Sequence, residues 1–193
     1  FPGDERPPYA TEAELLATLR DGREMGSGRK AAFAAQLWQN NTKVALIAYF
    51  LGFLACVPTV LALGMNGLML GTYSFTFHQK GLAYEWWAWI LPHGITEMLS
   101  IVLLAGGGLM VGHRVIAPGE RTRAEALRAV RADAVRLVCF AFPLLFVAAL
   151  IESFVRQSHL TDGARYVFAG LTALFWIGYL GFVRPTRDAV EQV

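Results

Sequence analysis

Charged residues are scarce in this sequence, and those present are unevenly spread. Only 17% of the 193 residues are Asp, Glu, Lys or Arg, against about a quarter in an ordinary soluble domain. Three stretches contain none of them and a fourth is interrupted only by Glu97; the stretches are 44–79, 86–113, 137–151 and 166–183. A bilayer core about 30 Å thick requires roughly 20 apolar residues in a helix. Because these stretches also lack the polar stripe of a helix on a soluble core, the sequence predicts an integral membrane protein.

Cysteine is rare, and the basic residues form no patch with interleaved aromatics. Cys56 and Cys139 both lie in apolar stretches, so we interpret them as reduced packing residues and not as a disulfide. The net charge of +2 says little, but the lack of such a patch argues against nucleic acid as a partner. Membrane lipid is the partner that this composition predicts.

The apolar stretches predict an all-α fold, a polytopic transmembrane helix bundle. The four full spans are expected at residues 44–63, 86–112, 135–153 and 166–183. The run Gly64-Met65-Asn66-Gly67 is expected to end the first span. The apolar segment 68–77 is too short to cross alone, so we interpret it as a re-entrant or half-crossing segment whose backbone is buried by protein.

The N-terminal part is expected to stay outside the membrane core. Thr11 and Glu14 have the spacing of a capping box, which predicts a helix from there to about Glu24. A second, amphipathic helix over 29–41 is expected to lie on the membrane surface. The predicted regions are a cytoplasmic extended segment with amphipathic helices at 1–43, a transmembrane domain at 44–183 and a cytoplasmic tail at 184–193.

Arginine and lysine orient the predicted spans. They cluster before the first span, between the second and third spans, and in the tail, with only Lys80, Arg156 and Arg165 on the opposite side. With four crossings the basic segments share one side, which the positive-inside rule assigns to the cytoplasm. We therefore expect a multi-pass protein of the cytoplasmic membrane with both ends of this segment in the cytoplasm. A fifth crossing by residues 68–77 would place the N-terminal basic cluster outside.

Ionisable residues within the predicted spans are the candidate functional residues. His93 and Glu97 are four apart, so they share one face of a helix. Charges at membrane depth are costly and should face protein or water. At a rise of about 1.5 Å per residue, Glu97, Glu152 and His93 lie roughly 22, 25 and 28 Å from the cytoplasmic ends of their spans, and Asn66 roughly 33 Å. We expect these four residues to form a polar intramembrane cluster.

The chemistry of that cluster has several interpretations. His93, Glu97 and Glu152 could bind Zn²⁺, for which imidazole and carboxylate are both ligands. They could act as general acid and base on a lipid-linked or peptide substrate, or relay protons and line a transport path. They could also form a hydrogen-bonded network that only locks the second and third spans together. The sequence identifies no catalytic residue.

Glycines four residues apart predict close helix packing. Gly67 and Gly71 form one such pair, and Gly108 and Gly112 form another. Small residues at this spacing let two helix backbones approach each other.

Several short runs carry a resemblance to a known family. They are Asn40-Asn41-x-x-Val44, Asn66-Gly67 with Gly71, Leu91-Pro92-His93-Gly94-x-x-Glu97, Ala105-Gly106-Gly107-Gly108-Leu109 with Gly112, Pro118-Gly119, and Ala148-Ala149-Leu150-Ile151-Glu152-Ser153-Phe154. Together they resemble the stage II sporulation protein M family over roughly Phe33 to Tyr179. The Pro-His-Gly-x-x-Glu run with the upstream Asn-Gly is its most specific part.

The resemblance implies a multi-spanning bacterial or archaeal membrane protein. The founding member of that family serves in engulfment during endospore formation, where it is thought to anchor peptidoglycan-degrading partners at the septal membrane. Relatives also occur in organisms that form no spores, so the resemblance implies no sporulation role here. It supplies no established catalytic residue and supports His93, Glu97 and Glu152 as a polar centre. We expect a non-enzymatic scaffold of a cell-envelope complex, with other envelope proteins and a second copy of this chain as partners. The alternative is an intramembrane enzyme, such as a metal-dependent hydrolase, or a transporter.

Overall fold

The computed structural model describes residues 10–21, 23, 26–53 and 56–182. Within these residues the chain forms helices and their connections and no β-strand, so the all-α prediction is confirmed. The helices are α1 (Glu12–Arg20), α2 (Ser27–Gly52), α3 (Val57–Gln79), α4 (Ala83–Ile116), α5 (Arg123–Leu150), which continues into a π-helical turn (Ile151–Arg156), and α6 (Asp162–Phe182).

Local sequence explains where several helices begin. The Thr11 hydroxyl accepts from the Glu14 N–H and the Glu14 carboxylate accepts from the Thr11 N–H, so the predicted capping box of α1 is confirmed. Thr122 and Glu125 form the same pair at the start of α5. α3 carries Pro58 in its first turn, where the missing N–H removes no helical hydrogen bond.

A tight turn joins α3 to α4. Gly81 has a φ of 74°, in the left-handed region that favours glycine. On either side of the turn, the rings of Phe77 and Trp86 stack with their centroids 4.4 Å apart. The Trp86 indole also donates to the Ser74 hydroxyl at 2.9 Å. The two helices are thereby held as an antiparallel hairpin.

α4 is the central helix, and α2, α3, α5 and α6 all pack against it. α5 runs antiparallel to α4, since Leu104 packs near Ala141 while Val111, further along α4, packs near Val130, earlier in α5. Residues early in α5 therefore lie beside residues late in α4, and residues late in α5 lie beside residues earlier in α4.

α6 runs parallel to α4. Near the start of both helices the Tyr166 hydroxyl donates to the Tyr84 carbonyl at 3.0 Å. Further along both helices the Trp176 indole donates to the Thr96 hydroxyl at 3.1 Å. The end of α6 therefore lies towards the end of the bundle where α4 ends.

Among the described residues, four helices are long and apolar enough to cross a membrane: α3, α4, α5 with its π-helical turn, and α6. The number of spans agrees with the prediction, but the first one lies elsewhere. The predicted break at Gly64–Gly67 and the half-crossing segment 68–77 are both wrong, because these residues lie inside the continuous helix α3. Glycine in a helix costs only about 1 kcal/mol relative to alanine. In an apolar phase, an unbroken helix also satisfies every backbone group.

The chain turns instead between α2 and α3, next to Cys56, whose φ of 67° departs from helical geometry. α2 joins the predicted amphipathic helix 29–41 to the first part of the predicted span 44–63. The predicted boundary between residues 43 and 44 therefore lies inside a single helix. The predicted tail at 184–193 lies outside the described residues.

The described N-terminal helix and the α4–α5 connection lie at opposite ends of the bundle. Leu15 and Leu19 of α1 are buried against Phe77, Leu82 and Trp86 at the α3–α4 turn. The α4–α5 connection follows at the far end of the 34-residue helix α4. The two basic segments of the prediction therefore lie towards different ends of the described bundle, and the side of the membrane that each occupies stays a prediction.

Candidate functional site

The structure brings together His93 and Glu97 of α4 with Glu152 of the π-helical turn. One potential ligand atom of each residue lies within 4.8 Å of those of the other two. His93 and Glu97 share a face because they are one turn apart, and Glu152 meets them because α5 runs antiparallel to α4. Three of the four predicted residues thus form one cluster, which we call the polar centre.

The polar centre is enclosed by protein. His93 is 5% exposed and Glu152 7%, and Glu97 is half-buried. Ionisable groups removed from water in this way are costly unless they find partners. The contacts that compensate this cost therefore decide what the polar centre can do.

The π-helical turn supplies the main compensation. It widens the end of α5 so that Glu152 and Arg156 both point inward, and the Arg156 guanidinium donates to the Glu152 carboxylate at 2.7 Å. The same guanidinium lies over the ring of Trp89 at 4.1 Å from the centroid. Such π-helical insertions are frequent at functional sites.

Arg156 is the residue that sequence reasoning missed. The charge count assigned it to a loop outside the membrane, yet it is 8% exposed and pairs with Glu152 of the polar centre. Its spacing of four from Glu152 was the available signal, since acidic and basic residues at that spacing pair on one helix face.

A ring nitrogen of the polar centre is buried without a hydrogen-bond partner. The Nδ1 atom of His93 is buried without a hydrogen bond among the described residues. A buried nitrogen left unpaired costs about 1–3 kcal/mol, which makes it a candidate for a ligand or an ion. One imidazole nitrogen and two carboxylate oxygens also match the ligands that Zn²⁺ prefers, so the residues fit a metal ion.

Asn66 is not joined to the polar centre by any contact of the described residues. Its side-chain amide donates to the Ala62 carbonyl one turn back in α3, at 2.9 Å. The height estimate that grouped it with the others assumed that the first span began at Val44, whereas Asn66 belongs to a helix that begins at Val57.

The two predicted glycine pairs behave differently. A Cβ atom at Gly108 or Gly112 would overlap the backbone of α2 at Tyr49 or Gly52, so these glycines bring α4 and α2 into close contact. A Cβ atom at Gly67 or Gly71 would meet nothing within 4 Å, so this pair makes no close helix contact among the described residues. These two lie on exposed faces of α3.

A second group of polar contacts lies beyond the polar centre, at the end of the bundle that carries α1. The Arg165 guanidinium donates to the carbonyls of Arg156 and Ser158 at 2.8 and 2.9 Å. Lys30 of α2 donates to the Gln157 carbonyl at 2.8 Å. Three helices are therefore held at the end of the π-helical turn.

Comparisons with known proteins identify the family of this chain. The family model described as stage II sporulation protein M matches residues 8–156. The chain is also similar to the uncharacterized protein MJ0706 of Methanocaldococcus jannaschii, with 25% identity over 120 residues. That alignment covers 60% of this chain and 52% of the relative, so the chain spans about half the length of the relative that it matches. No solved structure matches.

Proposed function

This chain belongs to the stage II sporulation protein M family, and from that premise we propose that it is a non-enzymatic membrane scaffold that localises partners in a cell-envelope complex. The observation that carries the proposal is the enclosure of the polar centre. His93, Glu152 and Arg156 are each less than 9% exposed, and the ion pair is covered by Trp89. A catalytic or transport site must admit its substrate through a cleft or path lined by its own groups.

The position of the polar centre supports the same proposal. It joins α4 to the end of α5, as an architectural network does. Such a network specifies which helix faces meet.

The scaffold proposal is tested with His93→Ala and Glu97→Gln in the source organism. We expect partner localisation to follow the amount of folded protein, so any variant that folds should still localise a fluorescently tagged envelope partner. His113→Ala and Glu120→Gln are matched controls, since both side chains are exposed at the other end of the bundle. A variant that melts like the wild type but fails to localise the partner would identify a chemical role and sink the scaffold proposal.

A second candidate role is divalent metal binding, and the unpartnered Nδ1 of His93 favours it. His93, Glu97 and Glu152 would hold Zn²⁺, which would join α4 to α5 as a structural ion. Bound zinc would supply folding free energy, so its removal should loosen the bundle.

Metal analysis of the purified protein separates the two roles of the polar centre. Structural zinc predicts about one ion per chain in the wild type and none in His93→Ala or Glu97→Gln, with a lower melting temperature after chelation. Protein without metal, whose melting temperature is unchanged by a chelator, refutes the zinc role and leaves the ion-pair network alone. Equal zinc content in His113→Ala and the wild type is the control for adventitious binding.

A further inference from the structure

The cavity beside α1 combines apolar and cationic side chains. It lies between α1 and the connection from the π-helical turn to α6, at the end of the bundle that carries the α3–α4 turn. We call this cavity the α1 crevice. Its lining includes Leu16, Leu19, Arg23, Leu160, Asp162 and Arg165. None of these residues belongs to the polar centre.

Two guanidinium groups line the α1 crevice with unused donors. Arg165 is only 1% exposed, and two backbone carbonyls hold one of its terminal nitrogens in place. Its Nε is buried without a hydrogen-bond partner, and the Nε of Arg23 is also buried without one. A buried N–H of a cationic group without an acceptor indicates that an anion completes the site.

The carboxylates of the α1 crevice do not satisfy these donors. A carboxylate oxygen of Asp162, a residue in the first turn of α6, lies 3.8 Å from a terminal nitrogen of Arg165. This distance is longer than a hydrogen bond. Glu85 also lines the crevice, as does a third guanidinium, that of Arg20. Three guanidinium groups against two carboxylates leave the crevice with a net positive charge.

The surroundings indicate which anion fits. Leu160 is 43% exposed and lies with Leu16 and Leu19 along the crevice wall. Tyr84 and Tyr166, whose ring centroids are 5.0 Å apart, lie at the same end of α4 and α6, where each helix begins. Tyrosine and tryptophan mark the membrane–water interface. An anion here therefore sits at the level of lipid headgroups, next to an apolar wall.

We propose that the α1 crevice binds the phosphate of an anionic phospholipid, with Arg23 and Arg165 as its ligands and the leucines against its glycerol and upper acyl groups. The bound lipid links α1 to the α5–α6 connection and so holds the N-terminal helix on the bundle. This proposal is independent of the scaffold role, because it concerns a lipid site at a different place in the fold.

The test uses the full chain in nanodiscs of phosphatidylcholine with or without phosphatidylglycerol. Native mass spectrometry should detect retained phosphatidylglycerol on the wild type, and Arg23→Gln should reduce the retention about tenfold, as expected for the loss of a hydrogen bond to a charged group. Arg29→Gln is the matched control, since Arg29 is exposed on α2 near the same end. It should retain the lipid like the wild type.

Further arms decide between the sources of phosphate. Leu160→Asn should weaken retention of the lipid while leaving any effect of inorganic phosphate on the melting temperature unchanged, and it serves as the second variant if Arg23→Gln does not fold. Equal retention of phosphatidylglycerol by the wild type and the two folded crevice variants would overturn the proposal. Stabilisation by inorganic phosphate with no lipid retained would also overturn it, because the ligand would then be a soluble anion.

Discussion

The ammonium group of Lys30 donates a 2.8 Å hydrogen bond to the carbonyl of Gln157, which joins positions 127 apart in the sequence. This contact places the beginning of α2 beside the end of the π-helical turn. At the other end of the bundle, Gly52 of α2 lies against Gly108 and Gly112 of α4. α2 therefore runs the same course as α4, and the described chain passes along the bundle an odd number of times.

The first prediction concerns the sides of the membrane. We expect residues 27 and 120 to lie on opposite sides, and residues 27 and 80 on the same side, because α2, α3 and α4 run the length of the bundle in alternating directions. Single-cysteine variants Ser27→Cys, Lys80→Cys and Glu120→Cys, made with Cys56 and Cys139 replaced by alanine, can be labelled with an impermeant maleimide in intact cells. Labelling of Ser27→Cys and Glu120→Cys from one side would contradict the bundle described here.

The second prediction concerns the buried ion pair. Arg156→Met should destabilise the protein by about 3–5 kcal/mol, because it leaves the Glu152 carboxylate buried without its partner. The double variant Glu152→Gln with Arg156→Met should recover most of that loss, since neither buried charge remains. Unfolding of the protein in mild detergent measures both differences. The exposed pair of Arg136 and Asp133 is the control, and Arg136→Met should change stability by no more than about 1 kcal/mol. Additive losses in the double variant would show that the two charges do not act as a pair.

The third prediction concerns the contact between α2 and α4. Gly112→Ala should lower stability by about 1–3 kcal/mol, because the added methyl group overlaps the Gly52 carbonyl and forces the helices apart. Gly106→Ala is the matched control on the same helix, where a Cβ atom meets nothing within 4 Å, and it should be neutral or slightly stabilising. Melting temperatures of the two variants should therefore move in different directions. Equal losses in the two variants would show that the contact of Gly112 with Gly52 does not determine the effect.

The fourth prediction concerns the pH dependence of α1. The N–H and hydroxyl of Thr11 donate to the Glu14 carboxylate and hold its pKa below the ordinary value. Because the folded pKa is the lower one, the cap stabilises α1 above the ordinary pKa of glutamate, about 4.3, and this stabilisation is lost as the pH falls through the lowered value.

Hydrogen exchange of α1 amides measures that loss. Protection in the first turn of α1 should decrease on acidification, while Glu14→Gln should show little change over the same interval. Glu12→Gln is the control, since Glu12 is exposed and is not part of the capping box. A first turn that frays equally in the wild type and Glu14→Gln at low pH would rule out the carboxylate as the cause.

The polar centre shows which site residues could be predicted from the sequence and which could not. The spacing of His93 and Glu97 fixes their common face, and the antiparallel order of two consecutive spans brings Glu152 to a similar height. Arg156 could not be assigned by counting charges, because a loop arginine and a buried one look alike until the π-helical turn points it inward. No contact of the described residues joins Asn66 to the polar centre; its amide donates to the Ala62 carbonyl in its own helix.

The sequence by itself determined that the chain is a bundle of apolar helices, since long uncharged stretches leave the backbone no other way to satisfy its hydrogen bonds in a bilayer. It also determined the capping box of α1, which is local, and the common helix face of His93 and Glu97. Only the tertiary structure decided that α3 continues through Gly64–Gly67, that α2 runs beside α4, and that α1 lies at the end opposite the α4–α5 connection. These features depend on contacts between distant residues, such as Gly52 with Gly112, whose free energy a local pattern does not contain.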